Sequence, residues 1–450
     1  MITKVLVANR GEIAVRVLAT LRRLGIASVA VYSEADAEAL HTRLADEAVC
    51  IGPAPTSDSY LQAERIIETA RSCGADAIHP GYGFLAENAG FAQDCEDAGI
   101  IFIGPRPETI RAMGSKISAR ALMDAAGVQT VPGTLEALTT LEEAYVAAEG
   151  IGYPVAVKAS GAGGGKGFRV AQGPDQLESA FTGARGEGER FFSDGTVYLE
   201  RYLDDPRHVE VQILGDVHGN IVHLHERDCS IQRRHQKLVE EAPSPVVDAE
   251  FRSRITDQAL AAARAVGYVS AGTVEGLVAG GEFYFLEMNT RIQVEHGVTE
   301  LVTGVDIVEQ QLRIANGEEL NLRQDDIRIR GHAIECRVNA ENAAKGFLPA
   351  PGTITAYQEP HGDGIRVDSG VETGTKVLPF YDSLLAKVLV VAEDRAEATN
   401  RMIAALEEFQ LEGPKTLIPF HLALLRSGEW RSAGTAREIV ADPRAFLDRG

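Results

Sequence analysis

The sequence predicts an α/β protein that begins with a doubly wound parallel sheet. Three observations predict this class: a hydrophobic fraction of 45%, a total of 45 glycines, and short apolar runs that alternate with helical patterns over residues 1–113. The composition is typical of globular α/β proteins, and a chain of this length suggests about three domains. Because strands separated by helices pair in parallel, the alternation indicates a doubly wound sheet.

The elements of this first region follow from apolar periodicity. Apolar residues at helical spacing predict helices over Gly11–Leu24, Tyr60–Ser72 and Asn88–Ala98. Short apolar runs predict strands over Val5–Ala8, Ala27–Tyr32, Glu47–Ile51, Asp76–His79 and Ile100–Ile103. Ligands on such sheets bind beyond the carboxyl ends of the strands, where the loop after His79 begins. This loop has two explanations: it lies near a ligand site, or its proline and glycines only form the turn between a strand and a helix.

Residues 107–203 are predicted to form a helix and then a small α/β unit. The helix is predicted over Pro107–Ala126 and contains Lys116. The small unit covers residues 131–203, and its last strand carries Glu200, Arg201, Tyr202 and Leu203. Such a strand end can line a nucleotide base with backbone groups and a leucine side chain.

A glycine loop lies inside this small unit, between two predicted strands. The first strand ends at Lys158, the loop runs from Ser160 to Gly167 with five glycines, and a second strand follows over Phe168–Ala171. The strand after the loop, and the glycine after Lys166, exclude a Walker P-loop. Glycine N–H groups can close over phosphates and a glycine loop can move as a lid, although a flexible hairpin turn also explains the pattern. The candidate phosphate ligands are Lys158, Gly163, Gly164, Gly165 and Lys166.

The stretch Leu286–Glu295 gives the strongest signal in the chain. Side chains of a strand alternate between two faces, so an extended stretch here has one polar face and one apolar face. The polar face carries Glu287, Asn289, Arg291, Gln293 and Glu295. A face with both signs of charge beside a buried face is costly unless its groups pair or bind a ligand.

A predicted hairpin places a second acidic residue against this stretch. A turn centred near Gly281 pairs positions that place Glu275 opposite Glu287. Two carboxylates at cross-strand distance repel each other, and a hard cation such as magnesium would relieve the repulsion. The alternative is the solvated outer face of an antiparallel sheet. Glu275, Glu287 and Asn289 are therefore candidate metal ligands.

The remaining sequence supplies a cationic run and a closing α+β domain. Residues 226–237 concentrate cations in an acidic protein, which favours an anion site over a solvated loop. From residue 331 the pattern changes to a strand over His332–Val338, then β-rich sequence, then a helix over Ala396–Phe409. The predicted domains are residues 1–113, residues 114–330 with the unit 131–203 as a lid, and residues 331–450.

Charge and cysteine usage exclude several classes of protein. The formal net charge of −21 argues against nucleic acid or an anionic membrane as partner. No apolar run approaches the length of a membrane span, and the N-terminus has no signal-peptide pattern. The five cysteines form no C-x-x-C pair, which argues against a disulfide scaffold or structural zinc and favours the cytoplasm.

Nine motifs together resemble one enzyme family. They lie at residues 8–14, 79–85, 158–160, 226–230, 232–237, 287–296, 347–349, 381–383 and 414–416. On these motifs the chain resembles, over essentially its whole length, the biotin carboxylase subunit of biotin-dependent carboxylases, an ATP-grasp enzyme. The resemblance implies an ATP-grasp fold with an N-terminal parallel-sheet domain, a mobile glycine-loop lid and a C-terminal α+β domain.

The resemblance also implies cofactors, substrates and roles for individual residues. ATP would phosphorylate bicarbonate to carboxyphosphate, which breaks down to carbon dioxide beside biotin. The implied ATP-binding residues are Lys116, Lys158, the glycine loop, Glu200, Arg201, Tyr202, Leu203, His208, Gln232 and His235. Glu275, Glu287 and Asn289 would hold Mg²⁺ or Mn²⁺. Lys237, Arg291, Gln293 and the Val294 backbone would position bicarbonate, Glu295 would be the base, and Arg337 would stabilise the biotin enolate. Beside Arg291, Glu295 is expected to have a lowered pKa.

The family implies partners but does not settle the carboxyl acceptor. None of the five methionines neighbours a biotinyl-type lysine, so biotin is expected on a separate carrier protein. A carboxyltransferase subunit is the further expected partner, and a homodimer is the expected assembly. Ser115, Arg201, Val274, Gly276 and Gly297 depart from the family pattern. An acyl-CoA carboxylase of the acetyl-CoA type is the first expectation, and a pyruvate or urea-type carboxylase or another ATP-grasp ligase stays open.

Overall fold

The computed structural model describes residues 1–160, 167–192 and 194–447. Its first region has five strands, β1 (Lys4–Val7), β2 (Ala27–Tyr32), β3 (Glu47–Cys50), β4 (Ala77–His79) and β5 (Ile101–Phe102). They form a parallel sheet in the order β3-β2-β1-β4-β5. The helices are α1 (Gly11–Leu24), α2 (Leu40–Leu44), α3 (Ala63–Cys73) and α4 (Ala89–Asp97). The predicted doubly wound sheet is confirmed, with element ends within a few residues of the prediction.

The helix predicted over Pro107–Ala126 is two helices, so this prediction was wrong. They are α5 (Pro107–Gly114) and α6 (Lys116–Ala125). Ser115 between them has an extended backbone, and its Oγ accepts a hydrogen bond of 3.4 Å from the Ser118 N–H as an N-cap. Lys116 is therefore the first residue of α6, with its Nζ 3.7 Å from a carboxylate oxygen of Glu287.

The unit over residues 131–203 has its own small sheet. It contains α7 (Leu141–Ile151), β6 (Val155–Ala159), β7 (Phe168–Ala171), α8 (Pro174–Phe192) and β8 (Val197–Arg201), with antiparallel strand order β7-β6-β8. Val155, Val157 and Leu199 pack in a core with α7 and α8. The alternate positions, Lys158 and Glu200 among them, face the opposite way into a large cavity.

A long antiparallel sheet forms the centre of the molecule. In chain order its strands among the described residues are β9 (Arg207–Gly215), β10 (Ile221–Arg233), β11 (Gln236–Ala242), β12 (Ser270–Ala279), β13 (Glu282–Asn289), β14 (His332–Asn339), β19 (Ile365–Ser369) and β21 (Leu384–Ala392). Across the sheet these eight strands follow the order β13-β12-β9-β10-β11-β14-β21-β19. The associated helices are α9 (Ala249–Ala265), α10 (His296–Thr303) and α11 (Ile307–Ala315). The basic run at residues 226–237 thus lies mostly in β10 and β11 and not in a loop.

The C-terminal region continues the same sheet. Its strands are β14 (His332–Asn339), β15 (Glu341–Asn342), β16 (Leu348–Pro349), β17 (Gly352–Thr353), β18 (Ala356–Gln358), β19 (Ile365–Ser369), β20 (Lys376–Val377), β21 (Leu384–Ala392) and β22 (Gln410–Glu412). Its helices are α12 (Arg395–Glu408), α13 (Ile418–Arg426), α14 (Gly428–Arg431), α15 (Arg437–Ala441) and α16 (Pro443–Leu447). Because β14 pairs with β11, polar residues of this region reach the side chains of the central strands. Among the described helices, none is long and apolar enough to cross a membrane.

Candidate active site

One cavity of about 670 Å³ brings most of the predicted site residues together. It lies between the small sheet over residues 131–203 and the central sheet. The predicted residues that line it are Lys116, Lys158, Glu200, Arg201, Tyr202, Leu203, His208, Gln232, His235, Lys237, Glu275, Glu287, Asn289, Arg291, Gln293, Val294, Glu295 and Arg337. The predicted Gly163, Gly164, Gly165 and Lys166 lie outside the described residues.

At one end of the cavity, Glu200 is held between two cations. It is buried, it accepts a hydrogen bond of 2.8 Å from Arg120 Nη1, and its other oxygen accepts one from Lys158 Nζ. Arg120 was not among the predicted residues. The pair of contacts fixes the direction of the Lys158 side chain, so that its ammonium lies at the wall of the cavity. Arg201, the last residue of β8, and the following Tyr202 and Leu203 line the same cavity.

The acidic hairpin has the predicted register but a shorter second strand. Glu275 pairs with Glu287, and a bulge after Glu275 takes up the offset produced by the Gly280–Gly281 turn. β13 ends at Asn289, so the extended conformation predicted through Glu295 was wrong beyond that residue. The residues that follow nevertheless turn their polar side chains into the same cavity.

Lys237 is the centre of a buried ionic cluster. Its Nζ donates to Glu210 Oε2 at 2.5 Å, Glu275 Oε1 at 3.0 Å, Gln293 Oε1 at 3.1 Å and Glu295 Oε1 at 2.5 Å. Burial alone would lower the pKa of Lys237, but the three carboxylates outweigh burial and hold that pKa well above its usual range. Lys237 therefore stays charged and ties β11 to β9, β12 and the segment before α10.

His208 adds a second cation to the same carboxylates. Its Nε2 lies 3.0 Å from Glu275 Oε2 and 3.4 Å from Glu210 Oε2. Burial lowers the pKa of His208, but the Glu275 charge overcomes this and raises the pKa to about 9. The histidine is thus positively charged at neutral pH. Burial raises the pKa of Glu275, but Lys237 and then His208 lower it well below its usual range, so Glu275 is ionised.

Arg291 and Glu295 occupy neighbouring parts of the cavity but have different partners. Arg291 donates from Nε to Glu87 Oε2 at 2.9 Å and from Nη2 to Asn289 Oδ1 at 2.7 Å. Glu295 Oε2 accepts a hydrogen bond of 2.8 Å from Arg337 Nη2. Burial raises the pKa of Glu295, but Lys237 and then Arg337 lower it further than burial raises it. The predicted direction is confirmed, although the expected cause was Arg291.

Several residues that shape the site were missed in the sequence. They are Glu87, Arg120, Glu210, Arg227 and Glu240. Glu210 had a readable signal, because the alternate positions His208, Glu210 and Gln212 of β9 are all polar. Arg227 lies in the cationic run at residues 226–237, although that run did not single it out. Glu87, Arg120 and Glu240 are not marked by local pattern.

Arg227 offers a test of how much this network stabilises the fold. It is fully buried and donates to Glu210 Oε1 at 2.7 Å, Gln212 Oε1 at 2.8 Å and Thr299 Oγ1 at 3.0 Å. We expect Arg227→Met to lower the free energy of unfolding by about 3 kcal/mol, because three buried acceptors lose their donor. Urea denaturation measures this, with the exposed Arg254→Met as control. A loss below about 1 kcal/mol would contradict a structural role for Arg227.

Comparison with known proteins follows the three regions of the fold. Residues 1–110 match the family model described as biotin carboxylase, N-terminal domain. Residues 115–323 match carbamoyl-phosphate synthase L chain, ATP binding domain, and residues 335–442 match biotin carboxylase C-terminal domain. The chain is 52% identical over 439 residues to biotin carboxylase 1 of Bacillus subtilis, covering 96% of this chain and 98% of that protein. The chain belongs to the biotin carboxylase family.

Other relatives in the family are subunits or domains of different carboxylases. One of the pyruvate carboxylase subunits of Methanothermobacter thermautotrophicus is 53% identical over 448 residues, covering 100% of this chain and 91% of that protein. The Hydrogenobacter thermophilus 2-oxoglutarate carboxylase biotin carboxylase domain, a dimer in complex with MgADP, ADP and bicarbonate, has a TM-score of 0.94 at 49% identity, with 99% of both chains covered. The predicted ATP-grasp fold class and the predicted enzyme class, an ATP-dependent biotin carboxylase, are confirmed.

Gly297, which departs from the expected pattern, packs against Leu389 of β21. A Cβ atom at Gly297 would lie 2.3 Å from Leu389 Cδ2, so a side chain there would require the end of the leucine to move. Gly297 does not line the cavity. The departure therefore concerns the packing of α10 and gives no reason to expect a particular carboxyl acceptor.

Proposed function

We propose that this biotin carboxylase transfers a carboxyl group from bicarbonate to biotin on a separate carrier protein, using ATP and releasing ADP and phosphate. The observation that supports the proposal is the single cavity whose walls carry Lys158 and Glu200 at one end and Lys237, Glu295 and Arg337 at the other. A nucleotide at the first end would direct its terminal phosphate towards the cationic second end, where an anion can be bound and activated.

For the nucleotide end, we assign binding of ATP to the cavity residues of the small sheet and to the adjacent residues of β9, β10 and β11. They are Lys158, Glu200, Arg201, Tyr202, Leu203, His208 and Gln232, together with Lys116 at the start of α6 and His235 between β10 and β11. From the sequence motif alone we add Gly163, Gly164, Gly165 and Lys166, which lie outside the described residues. The ion pair of Lys158 with Glu200 supports this assignment, because it holds the ammonium in one place before a phosphate arrives. Burial lowers the pKa of His235, so a neutral imidazole is available as a hydrogen-bond partner of the nucleotide.

For the bicarbonate end, we assign positioning to Lys237, Arg291, Gln293 and the Val294 backbone. Glu295 would accept the bicarbonate proton while a bicarbonate oxygen attacks the γ-phosphorus of ATP and ADP leaves, giving carboxyphosphate. The lowered pKa of Glu295 supports this role, since the carboxylate is ionised and ready to accept a proton. Arg337, which we assign to biotin, would stabilise the oxyanion that forms when the ureido nitrogen loses its proton.

For the metal, we assign Glu275, Glu287 and Asn289 as ligands of Mg²⁺ or Mn²⁺. Two carboxylates and an amide offer the oxygen atoms that these ions prefer. The fit is supported by the cross-strand pairing of the two glutamates and by the position of all three residues at the wall of one cavity. When bound, the metal would neutralise charge on the phosphates during phosphoryl transfer. Glu275 keeps its charge through Lys237 and His208, so the ligand is ionised before the metal binds.

Replacement of one proposed ligand tests the metal assignment. We expect Glu287→Gln to reduce turnover and to raise the Mg²⁺ concentration needed for half-maximal activity by about tenfold or more, because an amide binds a hard cation less well than a carboxylate. Glu282→Gln on the same strand, with an exposed carboxylate, is the matched control. An unchanged magnesium dependence would remove Glu287 from the metal site.

The partners and the final acceptor are proposals that go beyond the family. We propose that the chain works as a homodimer in the cytoplasm, with a biotin carboxyl carrier protein and a carboxyltransferase subunit, and that an acyl-CoA receives the carboxyl group. We also propose functional domains at residues 1–113, 114–330 and 331–450. Mixing the chain with candidate carriers and transferases, and following transfer of labelled bicarbonate, would distinguish an acyl-CoA from a 2-oxo acid or a urea-type acceptor.

ATP hydrolysis by the purified chain with free biotin tests the central proposal. We expect hydrolysis to require bicarbonate and to rise when biotin is added. Carboxybiotin should form in step with ADP. Hydrolysis that is indifferent to bicarbonate and biotin would contradict the proposal and favour another ATP-grasp ligase.

A further inference from the structure

Two buried acidic residues lie directly opposite each other behind Arg337. Glu240 of β11 and Glu335 of β14 are cross-strand partners, and both are fully buried. Opposite residues of an antiparallel pair share one face of the sheet, with Cβ atoms about 5 Å apart. Arg337 lies two residues along β14 on the same face, and α10 packs against β14 and β21. The pair is therefore enclosed between the sheet and a helix.

The two carboxyl groups have very different surroundings. Glu240 Oε1 accepts a hydrogen bond of 2.6 Å from Arg337 Nε and forms an ion pair with that arginine, while Glu240 Oε2 is buried without a donor among the described residues. Glu335 has no hydrogen-bond donor at either oxygen and forms no ion pair among the described residues. An ionised carboxylate without donors in a buried position is very costly, whereas a protonated one is not. Glu240 thus has the surroundings of an anion, and Glu335 has those of a neutral acid.

The charges around the pair support the same division. Those facing it are Lys237 on β11, Arg337 on β14, Lys387 on β21, Glu295 before α10 and Glu12 on α1. Lys387 Nζ is occupied by the Val294 carbonyl at 2.7 Å and by Glu12 at 3.4 Å. Arg337 forms ion pairs with both Glu240 and Glu295, so one guanidinium already balances two buried carboxylates. A third negative charge there would have no cation of its own.

We propose that Glu240 and Glu335 hold a single proton, carried by Glu335, and that the ionised Glu240 is the positioning residue that aims Arg337 into the cavity. Glu240 forms an ion pair with Arg337 on the buried side of the cavity wall. The remaining guanidinium N–H groups are directed at Glu295 and at the space proposed for biotin. The inference rests on the proposed function for its effect on turnover, but not for the location of the proton.

The pKa directions agree and set the sign of the pH dependence. Burial raises the pKa of Glu240 to about 7, because it outweighs the opposing effect of Arg337. Burial raises the pKa of Glu335 well above its usual range. As the pH falls through about 7, Glu240 gains a proton and its ion pair with Arg337 is lost. Above that pH the ion pair is fully formed. Biotin-dependent turnover should therefore decline on the acid side near neutral pH.

Two isosteric variants separate the roles of the carboxyl groups. The measurement is kcat/KM for free biotin against pH, at saturating ATP and bicarbonate. Glu335→Gln replaces a neutral acid by a neutral amide, so we expect the acid-side decline to stay where it is in the unmodified protein. Glu240→Gln should lower kcat/KM for biotin by about tenfold or more above pH 8, where Glu240 is ionised in the unmodified protein, and abolish the decline near neutrality, with the KM for ATP unchanged.

Infrared spectroscopy follows the proton without any activity measurement. Above pH 8, on this proposal, the unmodified protein shows the C=O stretch of one buried protonated carboxyl group, and Glu335→Gln lacks it. A second such band should grow as the pH is lowered through about 7 in the unmodified protein and in Glu335→Gln. These spectra need only the unmodified protein and the Glu335 variant if Glu240→Gln does not fold.

Three outcomes would overturn the inference. The first is a shift of the acid-side decline to lower pH in Glu335→Gln. Such a shift would mean that Glu335 is negatively charged in the unmodified protein, because removing its charge would lower the pKa of Glu240. The second is a decline near neutrality that persists in Glu240→Gln. The third is the absence of a protonated carboxyl band that depends on Glu335. Loss of biotin-dependent turnover in the unmodified protein, with the band present, would contradict the proposed function alone.

Discussion

Glu295→Gln is expected to lower kcat for bicarbonate-dependent ATP turnover by about 10²–10⁴-fold, the usual contribution of a general base. The amide has the same shape as the carboxylate but accepts no proton at neutral pH. In the unmodified protein the pKa of Glu295 is lowered, so its carboxylate is ionised at neutral pH. Glu295 becomes protonated, and stops acting as a base, only at a pH below the usual pKa of a glutamate. This group alone should therefore give a flat pH profile around neutrality.

The structure indicates that the fold tolerates this change. Lys237 keeps its contacts with Glu210 and Glu275, and Arg337 keeps Glu240, so neither cation is left without a carboxylate. We expect the midpoint of thermal unfolding and the Kd for ATP to remain close to those of the unmodified protein. Steady-state kinetics at saturating ATP and bicarbonate, with ATP binding by calorimetry, measure both. Residual turnover within about tenfold of the unmodified protein would exclude Glu295 as the base.

The elements of the N-terminal sheet and the register of the acidic hairpin could be predicted from the sequence because neighbouring residues determine them. The N-terminal sheet follows from the alternation of apolar runs and helical spacing, and the pairing of Glu275 with Glu287 follows from a two-glycine turn. The break at Ser115 was also encoded locally, because serine favours the extended N-cap position that it occupies before α6. The single-helix prediction missed it because the apolar spacing continues across the break.

The ion pairs that orient the site could not be predicted in the same way. Glu240 is 97 positions from Arg337, and Glu87 is 204 positions from Arg291. Each pair forms only when two strands, or a loop of the parallel sheet and the end of β13, come together in the folded chain. The residue types of the cavity were readable from motifs, whereas the partners that fix their direction and charge required the tertiary structure.

Arg291→Ala is expected to reduce biotin carboxylation by about 10²–10³-fold, the usual cost of losing a donor at a developing negative charge. Arg291 is one-fifth exposed and faces the cavity, while its Nε is held by Glu87 and its Nη2 by Asn289. These two contacts, with a third of 3.3 Å from Nη1 to the Ile292 carbonyl, fix the direction of the guanidinium. Two of its five N–H donors are left for bicarbonate. Arg291→Lys should not restore activity, because an ammonium cannot be held by two partners in this planar arrangement.

The measurement for Arg291→Ala must separate bicarbonate binding from nucleotide and metal binding. We expect the KM for bicarbonate to rise strongly while the Kd for ATP changes by less than about twofold, since Arg291 lies beyond the nucleotide end of the cavity. Arg254→Ala, an exposed arginine outside the cavity, is the control. A large loss of ATP binding would contradict the assigned role. A change confined to magnesium dependence would mean that Arg291 acts through its hydrogen bond to Asn289 and not on bicarbonate.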